Sequence, residues 1–145
     1  MESIVFTDLT VIADEAYRGN EQIISLSVPA NIKKIGCGAF ENCAGLERTT
    51  IENGVACICK DAFAGCGALT EIVLPDSVRG IHAGAFRNCV SLEQVVLPQG
   101  IRSIDAECFA GCAKLRKIEI PADVAVIGDG AFPNCDTLDR VIFLG

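Results

Sequence analysis

The 145-residue chain has one histidine, one methionine, one tyrosine, no tryptophan and only five prolines. A single imidazole, His82, leaves acid–base catalysis little to stand on. No glycine-rich phosphate loop and no paired-carboxylate constellation stands out either. Glycine and proline together number 19, too few for a collagen-like or linker-like chain. No apolar run approaches the roughly 18 residues of a membrane span. Basic residues are scarce, 12 against 19 acidic ones, and the net charge of −7 argues against a binder of phosphate backbones. The first fifteen residues hold Glu2, Asp8, Asp14 and Glu15 but no Lys or Arg, so they do not form a secretory signal.

What is abundant is apolar surface, half of all residues. That is enough burial to offset the entropy of ordering, which excludes disorder. Cysteine is also abundant. Nine thiols cannot pair completely within one molecule, and their positions follow a repeat.

The repeat has a step of 23. Phe40, Phe63, Phe86, Phe109 and Phe132 keep it, as do Cys43, Cys66, Cys89, Cys112 and Cys135. Leu46 to Leu138 and Ile35 to Ile127 form two more columns, and Pro75, Pro98 and Pro121 a third. Pro29 lies two steps before Pro75, with Glu52 in the gap. The register reaches the start in weaker form, with Ile12, Tyr17, Asn20 and Ile23 in the same columns. Residues 1–145 therefore read as one domain of about six coils, the first degenerate.

Within one coil, Ile72 and Leu74 alternate with Glu71 and Val73, the period of a strand with one buried face. Pro75 ends the strand and Asp76-Ser77 turns the chain. Ala85, Phe86, Cys89 and Leu92 have the spacing of a short helical or 3₁₀ turn. Asn42, Asn88, Asn134, Gly65 and Gly111 share a column that suits a left-handed backbone. Each coil offers about eight inward apolar residues that it cannot bury alone, which is the logic of a solenoid. Its stacked strands should form one parallel sheet with a step of about 4.8 Å.

The run Leu69–Cys89, read as L-x-x-I-x-L-P-x-x-V-x-x-I-x-x-x-A-F-x-x-C, resembles the leucine-rich repeat of the BspA-like type. The resemblance covers essentially the whole chain. It implies a right-handed α/β-type solenoid with a parallel sheet on one face and short helical or 3₁₀ turns on the other. It also implies a binding or adhesion role, often on the surface of bacteria or parasites. It brings no catalytic residue and no cofactor. The unpaired thiols, by contrast, suit a reducing compartment.

The open strand face is the candidate site, formed by Ser25, Ser27, Arg48, Thr50, Glu71, Val73, Gln94, Val96, Lys117 and Glu119, with Arg140 and Ile142 beyond them. Val73 and Val96 sit side by side at its centre, flanked by both charge signs, as interfaces are usually built. The expected partner is a protein, with no nucleic acid and no inserted membrane. The last strand, Val141-Ile142-Phe143, has no polar cover and could self-associate, which makes an assembly module one alternative. A thiol-dependent metal or redox sensor through Cys37, Cys57, Cys59 and His82 is another. Cys57 and Cys59 flank the inward Ile58, so both should point away from the core as exposed thiols. The five in-column cysteines and Cys108 read as buried free thiols.

Overall fold

The computed structural model describes residues 4, 6 and 8–145. Each 23-residue step contributes two short strands on two different sides of the coil. The longer set comprises β2 (Ser25–Val28), β4 (Arg48–Ile51), β6 (Glu71–Val73), β8 (Gln94–Val96), β10 (Lys117–Ile120) and β12 (Arg140–Phe143). The shorter set has two residues per strand: β1 (Val11–Ile12), β3 (Lys34–Ile35), β5 (Cys57–Ile58), β7 (Gly80–Ile81), β9 (Ser103–Ile104) and β11 (Val126–Ile127). Every pair is parallel, and partners are offset by one repeat, as in Ser25 against Arg48 and Glu71 against Gln94.

The expected single sheet is not continuous. The longer strands pair as β2–β4, β6–β8 and β10–β12, and the shorter ones as β1–β3–β5–β7 and β9–β11. Proline contributes to the breaks. Glu52 N–H donates to Val28 O and Leu144 N–H to Ile120 O, each lengthening its pair by a rung. Pro75 and Pro121 occupy the same column at the β4/β6 and β8/β10 steps and have no N–H to give. Pro98 removes that rung from β6–β8 without separating them, so proline alone does not set the interruptions.

The core runs the length of the coil stack. Phe40, Phe63, Phe86 and Phe109 are fully buried, together with Ile35, Ile58, Leu69, Leu92 and Ile104. Their rings form one row with Tyr17 and Phe132, each centroid 5.4–5.7 Å from the next and the planes within 11° of parallel. Phe6 meets Tyr17 edge-on at 6.0 Å. Asn31 Nδ2 holds that segment by donating to Phe6 O and Leu9 O. Thr49 is the one break in the inward column of Leu26, Ile72, Val95 and Ile118, and its hydroxyl has no partner.

The expected helical or 3₁₀ turns are absent: no helix occurs among the described residues, and this arc is built of β-turns. The reason lies in two columns of left-handed residues. One is Gly19, Asn42, Gly65, Asn88, Gly111 and Asn134, with φ between 59° and 75°. The other, four residues earlier, is Glu15, Gly38, Asp61, Gly84, Glu107 and Gly130, with φ between 57° and 68°. A left-handed residue every fourth position prevents a continuous helix. The hydrogen bonds show the alternative. Ala39, Glu41 and Cys43 close turns onto Gly36 O, Gly38 O and Phe40 O. The intervening amides of Gly38, Phe40 and Asn42 instead donate to Lys60 O, Ala62 O and Ala64 O of the next coil. Alternate N–H groups thus run along the stack, satisfying the buried backbone without a helix.

Candidate functional site

The pleat of the longer strands decides what faces outward. Side chains alternate across a strand, so Ile72 and Val95 go inward while Glu71, Val73, Gln94 and Val96 go out. Ser27, Arg48, Thr50, Glu71, Val73, Gln94, Val96, Lys117 and Glu119 are exposed, and Ser25 is half-buried. Register sets Val73 directly against Val96. Their exposures, 55% and 51%, are high for two adjacent valines.

The residues do not form one flat surface. A cleft of about 550 Å³ opens where β8 and β10 are unpaired. Glu71, Gln94, Val96, Lys117 and Glu119 line it. A smaller one of about 270 Å³ opens at the β4/β6 break, between Thr50, Glu71 and Val73. Ser25, Ser27 and Arg48 line neither. The larger cleft mixes charges of both signs above an apolar base, and Lys117 Nζ lies 3.5 Å from Glu119 Oε1. The sequence reading missed Thr70, Glu93 and Arg116, which share the column just before each strand, and Pro121 and Leu144, which share the column just after. The strand period marks none of these five, because all lie outside the alternating segment.

The thiols divide into two groups. Cys43, Cys66, Cys89, Cys112 and Cys135 each donate through Sγ to the carbonyl of Tyr17, Phe40, Phe63, Phe86 and Phe109, at 3.0–3.3 Å. Burial pushes Cys43 up to about 11 and Cys112 to about 12. Burial, reinforced by the neighbouring thiols, also drives Cys66 and Cys89 well above the usual thiol range. Cys108 is fully buried and donates to His82 O. These groups are packing elements held as neutral thiols.

Off this column, Cys37 is exposed, whereas Cys57, expected to be exposed, is half-buried and Cys59, expected likewise, is buried. Cys59 lies outside the main core cluster, so its side chain does leave the core, but it is covered where it lands. Its Sγ is 3.8 Å from Cys57 Sγ. Burial first, and then the hydrogen bond and charge of Cys57, push Cys59 up to about 12. His82, one coil further on, turns its Nδ1 toward Asp105 Oδ2 at 3.4 Å. Among the described residues no three His, Cys, Asp or Glu side chains converge to hold a metal ion, so Cys37 and His82 do not join the pair.

Parallel coils of constant length, a leucine column, and a solvent-facing strand surface define a leucine-rich-repeat solenoid. The model of the BspA-type leucine-rich repeat region matches residues 10–139 in six copies. The chain belongs to that family. No curated protein matches it. Among solved structures, a leucine-rich repeat protein from Eubacterium ventriosum is similar at 25% identity and a TM-score of 0.82, with 90% of this chain and 35% of that one covered. One from Bacteroides ovatus is similar at 29% identity and a TM-score of 0.68, covering 95% and 43%. A leucine-rich cell surface protein from Faecalibacterium prausnitzii is similar at 26% identity and a TM-score of 0.51, covering 94% and 52%. The chain thus spans about a third to a half of the length of these three.

Proposed function

We propose that this chain is a non-catalytic protein-binding module that uses the outward face of β6, β8 and β10. The observation that carries this reading is the pair of exposed, registered valines, Val73 and Val96, the first lining the smaller cleft and the second the larger. An apolar centre with a mixed-charge rim is the composition of a protein interface. Leucine-rich repeat solenoids generally serve as protein-interaction modules, which supports it. The cell-surface relative extends the proposal to adhesion or host interaction.

The test is a selection of displayed protein domains against the full chain. Binders should be lost on a Val73→Asp/Val96→Asp variant, because two desolvated carboxylates would face the partner. They should be kept on Val90→Asp, which alters an equally exposed valine outside the strands (47%). Binders that survive the double change place the interface elsewhere.

A second reading, self-association through the last coil, is favoured by the exposure of Phe143 (68%) and Val141 (42%). Light scattering that shows a monomer across a concentration series overturns it.

A further inference from the structure

We propose that Cys57 and Cys59 form a two-thiolate clip for a soft, tetrahedral d¹⁰ divalent cation of the zinc–cadmium class. The argument starts from one distance. The two sulfurs are 3.8 Å apart in the free protein. Metal–thiolate bonds of about 2.3 Å at a tetrahedral angle give a sulfur–sulfur edge of about 3.8 Å. The pair already has the separation that two corners of such a site require.

The backbone explains why the separation is held. Cys57 lies in β5, which pairs with β3 on one side and β7 on the other. Cys59 N–H donates to Ile35 O, and His82 N–H donates to Ile58 O, so the strand is fixed along both edges through this point. Residues two apart on a strand project from the same face, with Cα atoms about 6.6–6.8 Å apart. That is the upper limit of the disulfide window, and closing to about 2.05 Å would pull against both ladders. The same geometry that resists a disulfide fits a metal between the sulfurs.

The surroundings allow entry and charge. Cys59 is covered while Cys57 is half-exposed, so the clip has one sealed and one open side. Lys34 is registered against Cys57, and its charge favours the Cys59 thiolate against the larger opposing effect of burial, which binding of the cation must overcome. Binding releases the two thiol protons and forms two metal–sulfur bonds, leaving two coordination positions to water. No oxidant or reductant is involved. The clip lies on the shorter-strand side, apart from the proposed partner face, and its test is independent of that proposal.

Cadmium ion alone is the probe, added to the reduced full chain. The expected result is one ion per chain, thiolate-to-cadmium charge-transfer absorption in the ultraviolet, and release of about two protons per ion. Zinc in large excess should compete for the same thiolates and weaken the band. Cys57→Ser should remove the band while leaving the circular dichroism spectrum unchanged, since that side chain is outside the core. Cys37→Ser should leave the band intact. No band in the native chain, a band that survives Cys57→Ser, or a band lost with Cys37→Ser each overturns the proposal.

Discussion

Coils in this protein come in two kinds, and replacing a single glycine tests whether their order matters. Gly19 and Gly65 occupy the same column with the same backbone angle, φ +74°. A methyl group at Gly19 meets nothing within 4 Å, whereas one at Gly65 drives into the Asn42 side chain of the preceding coil. The same overlap recurs where Gly111 meets Asn88 and, in the other left-handed column, where Gly84 meets Asp61. A long side chain on one coil therefore leans over a glycine on the next, and the two columns alternate in opposite phase. The structural repeat is two coils.

The magnitudes follow. Gly19→Ala incurs only the left-handed penalty, about 1–2 kcal/mol. Gly65→Ala incurs the same penalty plus overpacking against Asn42, another ~1–3 kcal/mol. Asn42→Gly should return the overpacking share in the double variant while leaving the conformational share in place. Urea unfolding followed by circular dichroism, with all four proteins compared at constant m-value, reads these differences directly. Equal losses for Gly19→Ala and Gly65→Ala, or no recovery on adding Asn42→Gly, would refute the two-coil repeat.

The ring row makes a second prediction: Phe86→Ala should cost about 3–5 kcal/mol, plus the loss of stacking on both Phe63 and Phe109. Phe132→Ala, half-buried and stacked only on Phe109, should cost clearly less by urea unfolding, and equal costs would show that the rings do not act through their neighbours. The buried thiols predict an alkaline limit. Because folding raises their pKa values, the unfolded chain loses protons first, so the thiols' contribution to stability should be constant below about pH 8.5. It should then fall as pH rises toward 11–12, where Cys43 and Cys112 titrate in the folded state. Urea midpoints measured against pH should show that decline, weaker in Cys112→Ala, and a midpoint that rises above pH 9 would contradict the sign.

The parts of this molecule that the sequence exposes are those repeated with one unchanging residue. Phe, Cys, Leu and Ile recur at 23 because each coil presents the same cavity to its neighbours, so any column met five times reads as buried. The column of Asn42, Asn88 and Asn134 was legible for the same reason, since only Asn and Gly tolerate the backbone there at low cost. Its companion column was not. Glu15, Gly38, Asp61, Gly84, Glu107 and Gly130 share no obvious side-chain property, and what unites them is a φ angle and an alternation with twice the 23-residue period. The helical expectation failed there: Ala85, Phe86, Cys89 and Leu92 do have helical spacing, but spacing records only which side chains go inward. It does not record where the amides point, and here alternate amides point along the stack.

The two-residue strands escaped for a related reason. With one inward residue each, as Ile58 between Cys57 and Cys59, they are too short to show a period. The candidate site was half-legible on the same terms. Alternation placed Val73 and Val96 outward, but the cleft beside Val96 exists because β8 and β10 do not pair, and the proline column, present at paired and unpaired steps alike, does not mark which neighbours separate. In a solenoid, one coil's sequence determines what it buries, whereas the shape of the surface depends on how adjacent coils fit. The binding face and the Cys57–Cys59 clip therefore belong to relations between neighbours, and a change one coil away, such as at Lys34, should alter the clip without touching either sulfur-bearing side chain.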